Sequence, residues 1–166
     1  NSPAPTNEVQ LLSLTGLTIT GGQFRIRFSN VLIPTPSQVI TVPANVLTNL
    51  TAAETLAQNI ENALNTSLGV GATNVVVNPT NFRQYSIEFT SRYAAANLPQ
   101  MTVDTSVANG LGLTGTGNPN VVPTTTTQGA GSTIQTVTFG GTTGGKVTFS
   151  YNGVLGSPET AVTVNA

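Results

Sequence analysis

Hydrophobic and polar residues alternate one by one along several parts of the chain, which is the pattern of half-buried β-strands. The alternation is clearest over residues 23–29, where Phe24, Ile26 and Phe28 are separated by polar neighbours. The pair Gly21-Gly22 before them predicts a turn. Similar patterns predict further strands over residues 8–15, 38–42, 74–77, 85–89 and 98–103.

One stretch has the period of a helix instead. Leu56, Ile60 and Leu64 recur at every fourth residue, which predicts an amphipathic helix over residues 51–65. Thr51 and Glu54 have the spacing of a capping box, in which each side chain bonds the backbone amide of the other residue. We therefore expect one helix in a chain that is otherwise built from strands.

The pattern of the first forty residues returns near residue 134. Val9-Gln10 is matched by Ile134-Gln135, and Gly21-Gly22 is matched by Gly144-Gly145. The second copy has counterparts of three strands but none of the helix, and three short strands with one apolar face are marginal alone. We therefore predict that its apolar residues form a subunit interface. These residues are Val137, Phe139, Val147, Phe149, Tyr151, Val162 and Val164.

These patterns divide the chain into four parts. We predict an N-terminal arm over residues 1–7, a β-rich repeat domain over 8–113, a linker rich in Thr, Gly, Asn and Pro over 114–132, and a partial second repeat over 133–166. The predicted fold class is mainly β: an antiparallel β-sandwich-like domain with one amphipathic helix and extra strands at the C-terminal end.

The composition changes the picture mainly through its low charge. Charged residues make up 7% of the chain, against roughly 25% in typical soluble domains. The net charge of −1 leaves little self-repulsion between copies, and five scattered cations exclude a basic nucleic-acid face. No apolar run approaches the roughly 18 residues of a membrane span. The chain opens on Asn1, which favours a processed form, so we expect a secreted, extracellular or cell-surface protein.

Residues that commonly carry catalysis are scarce. The absence of His and Cys removes imidazole bases, thiolate nucleophiles and the usual zinc ligands. The six acidic residues are scattered, so no calcium-binding loop is recognisable. We therefore expect no catalytic, metal or cofactor site, and no enzyme. Asn49 and Asn65 each begin an Asn-x-Ser/Thr sequence and are candidate glycosylation sites.

Eight short motifs follow one another in a fixed order through residues 7–102. They are Asn7-Glu8-Val9-Gln10, Gly21-Gly22, Phe24-Arg25-Ile26-Arg27-Phe28, Thr51-Ala52-Ala53, Ala63-Leu64, Asn74-Val75-Val76-Val77, Tyr85-Ser86-Ile87-Glu88-Phe89 and Leu98-Pro99-Gln100-Met101-Thr102. The order resembles a β-rich domain repeated in tandem in large secreted bacterial surface and adhesive proteins. The resemblance covers residues 7–125 and, in part, 133–166. It implies an extracellular structural or adhesive role with no catalytic residues.

Two functions fit these expectations. The first is a structural subunit of an extracellular filament or surface assembly of the kind found in biofilms. It would form a head-to-tail homopolymer by β-strand addition of the tail to a neighbouring subunit. The alternative is an adhesin or phage-fibre repeat module that folds on itself and binds a carbohydrate or protein ligand on a surface. For the first function, the expected partners are other copies of the same chain. Neither function involves nucleic acid or a membrane span.

Overall fold

A computed structural model describes residues 4–28, 36–68 and 73–131, together with four strand dipeptides beyond residue 145. The chain forms two units, Asn1–Ser132 and Thr133–Ala166. In its described residues the first unit contains one α-helix, two single-turn 3₁₀ helices (Ser91–Tyr93 and Val107–Asn109) and eight strands in two antiparallel sheets, which confirms the predicted mainly β, sandwich-like fold class. In chain order the elements are β1 (Val9–Thr15), β2 (Thr18–Arg27), β3 (Ile40–Val42), α1 (Leu50–Leu68), β4 (Val75–Asn81), β5 (Gln84–Phe89), β6 (Thr102–Asp104), β7 (Gly112–Thr116) and β8 (Asn120–Thr127).

The two sheets differ in how they are organised. The first has the strand order β4–β5–β1–β8, so that β1 and β5 are central and β4 and β8 are edge strands. The second is built around the long strand β2. β3 occupies one edge of β2, and β7 and β6 follow one another along the opposite edge.

The core lies between these sheets and the helix. Leu12 and Leu14 of β1, together with Phe24 and Ile26 of β2, are buried, whereas Ser13 and Arg25 between them are partly exposed. Phe28 meets Phe89 of the other sheet edge to face, with ring centroids 5.8 Å apart. The helix buries its Leu56–Ile60–Leu64 stripe and contacts β3 and β4. Each fully buried side chain of this size stabilises the fold by about 1.5–3 kcal/mol.

The predicted turn at Gly21-Gly22 is wrong, because β2 runs straight through it. Both glycines have positive φ angles, 145° and 122°, and the pairing with β7 shifts register between Ile19 and Gly21. A Cβ atom on Gly22 would come within 2.3 Å of the Gly112 carbonyl oxygen. The glycines therefore permit a close approach of β7 to β2 instead of reversing the chain.

The predicted linker over residues 114–132 is also wrong. Most of its first half belongs to strands, because β7 extends to Thr116 and β8 begins at Asn120. β8 pairs antiparallel with β1 from end to end, and its Val121 is buried in the core. The first unit consequently continues to Ser132, well beyond the predicted domain boundary at residue 113.

The predicted N-terminal arm is partly built into the domain. Thr6 and Ala130 exchange two backbone hydrogen bonds, of 2.7 and 2.9 Å. Asn7 donates its side-chain amide to Glu88 and accepts the backbone N–H of Ala95. Residues 6 and 7 therefore belong to the first unit.

The helix begins earlier and ends later than the predicted span of residues 51–65. The Asn49 side-chain oxygen accepts the backbone N–H of Ala52 at 3.1 Å, so Asn49 is the N-cap. Thr51 and Glu54 lie inside the helix, and the predicted capping box is wrong. Asn49 thus satisfies one of the free N–H groups of the first turn, that of Ala52, whereas the box was expected to satisfy those of Thr51 and Glu54.

The second unit is described through four short strands. β9 (Lys146–Val147) pairs antiparallel with β12 (Val162–Thr163), and β10 (Ser150–Tyr151) pairs antiparallel with β11 (Val154–Leu155). Among the predicted interface residues, Val147, Tyr151 and Val162 lie on these strands. The others, Val137, Phe139, Phe149 and Val164, lie outside the described residues.

Candidate functional site

The acidic side chains of the first unit mostly stabilise its backbone. Glu61 accepts the backbone N–H of Val77 at 2.9 Å, and Asp104 pairs with Arg27 at 2.9 Å. The backbone N–H of Ser106, and then the Arg27 guanidinium, hold the pKa of Asp104 below its usual value. No group of three or more potential metal ligands occurs in the part of the chain that the structure describes. The remaining groups through which this fold can bind a partner are the backbone N–H and C=O groups at the edges of its sheets, which can pair with an added strand.

A buried clamp joins the first motif of the domain to its last. Glu8 is fully buried, and its carboxylate accepts the Leu98 backbone N–H at 2.5 Å and the Gln10 side-chain amide. Gln10 accepts the Met101 N–H at 2.8 Å and donates to the Pro99 carbonyl oxygen at 3.2 Å. Residues 98–101, predicted to be part of a strand, are thus held by side chains, and β6 begins only at Thr102.

The outer edge of β4 is closed by side chains of α1. Asn65 accepts the backbone N–H groups of Asn74 and Val75 and donates to the Val75 carbonyl oxygen, at 2.7, 3.0 and 3.3 Å. Glu61 takes the next outward N–H along the strand, that of Val77. The helix therefore occupies the place that another strand would take beside β4.

Side-chain amides also occupy the outer edges of β3 and β8. Asn59 of α1 donates to the Thr41 carbonyl oxygen of β3 at 2.9 Å. Gln100 donates to the Pro123 carbonyl oxygen of β8 at 3.2 Å and accepts the Thr125 N–H at 3.3 Å. Strand addition at β3, β4 or β8 would first have to break these bonds. Such protection is how many sheets avoid pairing with other chains.

The strand β7 is different. β2 is its only strand neighbour among the described residues, and the one side-chain bond to its backbone comes from Thr18 of β2. β7 contains neither charge nor proline, the residues that commonly protect an exposed edge. Its outer edge is therefore less protected than the outer edges of β3, β4 and β8.

The second unit repeats the pairing of β2 with β3 in the same register. The sequence match sets β9 123 residues after its counterpart in β2, and β12 122 residues after its counterpart in β3. The facing pairs Gln23–Thr41 and Phe24–Ile40 of the first unit become Lys146–Thr163 and Val147–Val162 in the second. Sequence similarity and strand pairing thus identify the same residues as equivalent.

The two candidate glycosylation sites have structural roles. Asn49 is exposed and caps α1 through its side-chain oxygen, which leaves its amide nitrogen available. Asn65 already donates its amide nitrogen to Val75, so a glycan there would compete with the closure of β4. Modification of either residue stays a prediction.

No protein-family model and no curated protein matches the chain. The resemblance to a tandem surface repeat therefore stays a prediction. In the described residues, no helix is both long and apolar enough to cross a membrane.

Sequence reasoning missed the residues that close the sheet edges. Asn59, Glu61 and Gln100 were not assigned a role, and Asn65 was named only as a candidate glycosylation site, because nothing local marks a polar residue as the partner of a distant strand. A signal was nevertheless present: Asn59 and Glu61 flank the buried Ile60, so they lie beside the apolar stripe of the helix. Polar residues in that position are placed to reach the backbone of whatever the stripe packs against.

Proposed function

We propose that the chain is a structural subunit of an extracellular filament or similar surface assembly, in which residues 133–166 add to the sheet of a neighbouring copy. The repeated register of β9 and β12 is the observation that supports this proposal, because it agrees with the interpretation of residues 133–166 as a partial second repeat. In the first unit β1 pairs with β5, and β3 contacts α1. The sequence of residues 133–166 contains no match to α1, β4 or β5. A neighbouring copy is the source of these elements that we propose.

The energetics favour such an addition. Seven apolar residues of the second repeat could each contribute about 1.5–3 kcal/mol on burial. Ordering some thirty residues costs at least as much, so apolar burial alone does not fold the segment. Strand addition supplies backbone hydrogen bonds together with a receiving apolar surface.

The surface composition supports the same function. With 7% charged residues and a net charge of −1, copies repel one another only weakly. Exposed threonines lie on β2, β7 and β8, and the exposed Arg27 of β2 is paired with Asp104, so the outer faces are polar with few charges. Contacts between such faces depend little on salt or pH, which suits an assembly outside the cell.

Deletion of residues 133–166 tests the proposal. We expect the full chain to form polymers at high concentration and the shortened chain to stay monomeric, as measured by light scattering and negative-stain microscopy. Val162→Asp should abolish assembly, whereas its matched neighbour Thr163→Asp should weaken it much less. Polymers of the shortened chain that look like those of the full chain would show that the tail is not the joining element.

The closed edges of β3, β4 and β8 favour a second candidate, a repeat module of an adhesin or phage fibre that folds on itself and binds a surface ligand. A first unit with protected edges is suited to act as a separate module. This candidate predicts that the full chain stays monomeric at high concentration while residues 133–166 resist proteolysis. Binding to surface carbohydrate or protein would then be the activity to measure.

A further inference from the structure

We infer that the first unit pairs with a second copy of itself through an apolar groove between α1 and the β4–β5 hairpin. Leu50 and Ala53 of the helix line one wall of this groove, and residues 79–82 of the hairpin line the other. In the contact, Phe82 of each copy lies against Leu50 of the other copy. This pairing goes beyond the proposed function, because it uses no residue of the tail.

The Leu50–Phe82 groove brings together two large apolar side chains that are in contact with water. Leu50 is 61% exposed and Phe82 is 40% exposed, and the groove between them has a volume of about 470 Å³. Single exposed apolar residues are ordinary, whereas neighbouring ones on a concave surface mark a site of interaction. An aromatic side chain can bury roughly 150–250 Å², so Phe82 is suited to fill the same groove of another copy.

The polar side chains of the groove are already bonded within the chain. Asn81 donates its amide to the Gln84 side chain at 2.8 Å and accepts the Arg83 backbone N–H at 2.8 Å. The Thr80 hydroxyl donates to the Gln84 carbonyl oxygen at 3.2 Å. These bonds hold the two-residue turn that carries Phe82. The groove therefore presents mainly apolar surface, which favours an apolar side chain over a hydrophilic ligand.

The charges beside the groove are complementary to each other. Glu54 lies four residues after Leu50, so the two side chains share one face of α1. Arg83, the second residue of the hairpin turn, donates to the Gly16 carbonyl oxygen at 2.8 Å and retains further N–H donors. Both charges are exposed, and neither belongs to an ion pair within the described residues. The helix wall thus carries a negative charge and the hairpin wall a positive one.

A second copy is the partner that this surface fits. A two-fold contact requires one surface to hold both members of every contacting pair. Rotation about an axis through the groove places the helix wall of one copy against the hairpin wall of the other, so Glu54 faces Arg83 twice. A net charge of −1 opposes this association only weakly. Because a two-fold contact closes on itself, it joins subunits in pairs and does not extend a filament.

Disulfide trapping in the full chain tests the contact, because the chain contains no cysteine. Leu50→Cys in one preparation is mixed with Phe82→Cys in another under mild oxidation. The matched control mixes Leu50→Cys with Val107→Cys, since Val107 is 84% exposed and lies on the 3₁₀ helix between β6 and β7, outside the groove. We expect the link between positions 50 and 82 to form about tenfold faster than the control link, because pairing raises the local concentration. Equal rates would overturn the inference.

The same trapping in a Val162→Asp background separates this contact from assembly through the tail. The background should not polymerise if the proposed function is correct. A fast link between positions 50 and 82 without polymers supports a contact that is independent of the tail. Loss of the fast link in this background would overturn the inference, because the link would then be a product of the filament.

An exchange of charges gives an independent readout. Glu54→Arg or Arg83→Glu, introduced alone into both preparations, places like charges together twice and should slow the link about tenfold. The two changes together restore opposite charges and should bring the rate back to within about threefold of the original. Circular dichroism checks that these variants fold. Single changes without effect, or a double variant that links as slowly as the single ones, would show that Glu54 and Arg83 do not face each other across copies and would overturn the contact.

Discussion

At the scale of single residues, one buried acidic side chain, that of Glu8, joins two distant parts of the first unit. Glu8 is fully buried, yet its two oxygens accept a backbone N–H and a side-chain amide, so the carboxylate is not left without partners. A glutamine of the same shape has only one side-chain oxygen, so it could not replace both carboxylate oxygens of Glu8 as acceptors. Glu8 ties the beginning of the domain to residues that lie ninety positions further along the chain.

Replacing Glu8 with alanine should therefore be costly. The change leaves the Leu98 N–H and the Gln10 amide without their acceptor in a buried place, so we expect the free energy of unfolding to fall by about 2–4 kcal/mol. Glu54→Ala is the matched control, because Glu54 is exposed, and it should change stability by less than about 0.5 kcal/mol. Urea denaturation of both variants measures this, and equal stability would contradict the clamp.

Tyr85 gives the opposite kind of prediction. Its hydroxyl is buried and has no hydrogen-bond partner among the described residues. We therefore expect Tyr85→Phe to raise the free energy of unfolding by between zero and about 1 kcal/mol. Burial raises the pKa of Tyr85 from 10.0 to about 12. The stability that depends on the neutral phenol is present below pH 10 and is lost as the pH rises towards 12. Thermal unfolding of both proteins between these pH values should show a decline that is smaller in the phenylalanine variant.

At the scale of elements, the helix matters as much for its polar flank as for its apolar stripe. The stripe packs on the core, and the flank bonds the outer edges of β3 and β4, which belong to different sheets. A single helix thus closes one side of the sandwich, and the segment that carries Gln100 protects β8. Removing one of these side chains should expose a strand edge without opening the core.

Asn65→Ala is the sharpest test of that closure. It leaves the backbone groups of Asn74 and Val75 without their side-chain partner, and we expect a loss of about 1–3 kcal/mol in stability. The freed edge should also increase self-association measured by light scattering. Asn62→Ala, on the exposed side of the same helix, should do neither. Association of the two variants to the same extent would argue against an edge role for Asn65.

Sequence patterns predict the elements that bury one face and miss those that depend on a partner. The alternation at Tyr85, Ile87 and Phe89 predicts β5 because every second side chain enters the core. β7 and β8 were missed because Gly, Thr, Asn and Pro have the composition of a loop. They become strands only through pairing with β2 and β1. The edge bonds were unpredictable for the same reason, since Gln100 and Thr125 meet only in the folded chain.

At the scale of the whole molecule, the two units differ in the number of elements that their sequences contain. The first unit has a core between two sheets and a helix, whereas the sequence of residues 133–166 matches only three strands of such a domain. A few short strands without a covering element are marginal in water. The units should therefore respond differently when they are separated.

We expect residues 1–132 to fold alone and residues 133–166 to lack stable structure alone. Far-ultraviolet circular dichroism and urea titration of the two separate fragments measure this. The larger fragment should unfold in one cooperative transition with a midpoint close to that of the full chain. Cooperative unfolding of the isolated 133–166 fragment would contradict this division of stability.

The duplicated strand pair also bears on how the chain is made. The pair β2–β3 and the pair β9–β12 have the same register. Either pair could therefore pack against helix α1 while the chain folds. Synthesis proceeds from the N-terminal end at about 5–20 residues per second, so the 34 residues of the second unit emerge over roughly 2–7 s after the first is complete. Helix α1 follows β3 directly and can close the first sandwich within that interval. Order of appearance, rather than a difference in affinity, would then decide which copy receives the helix.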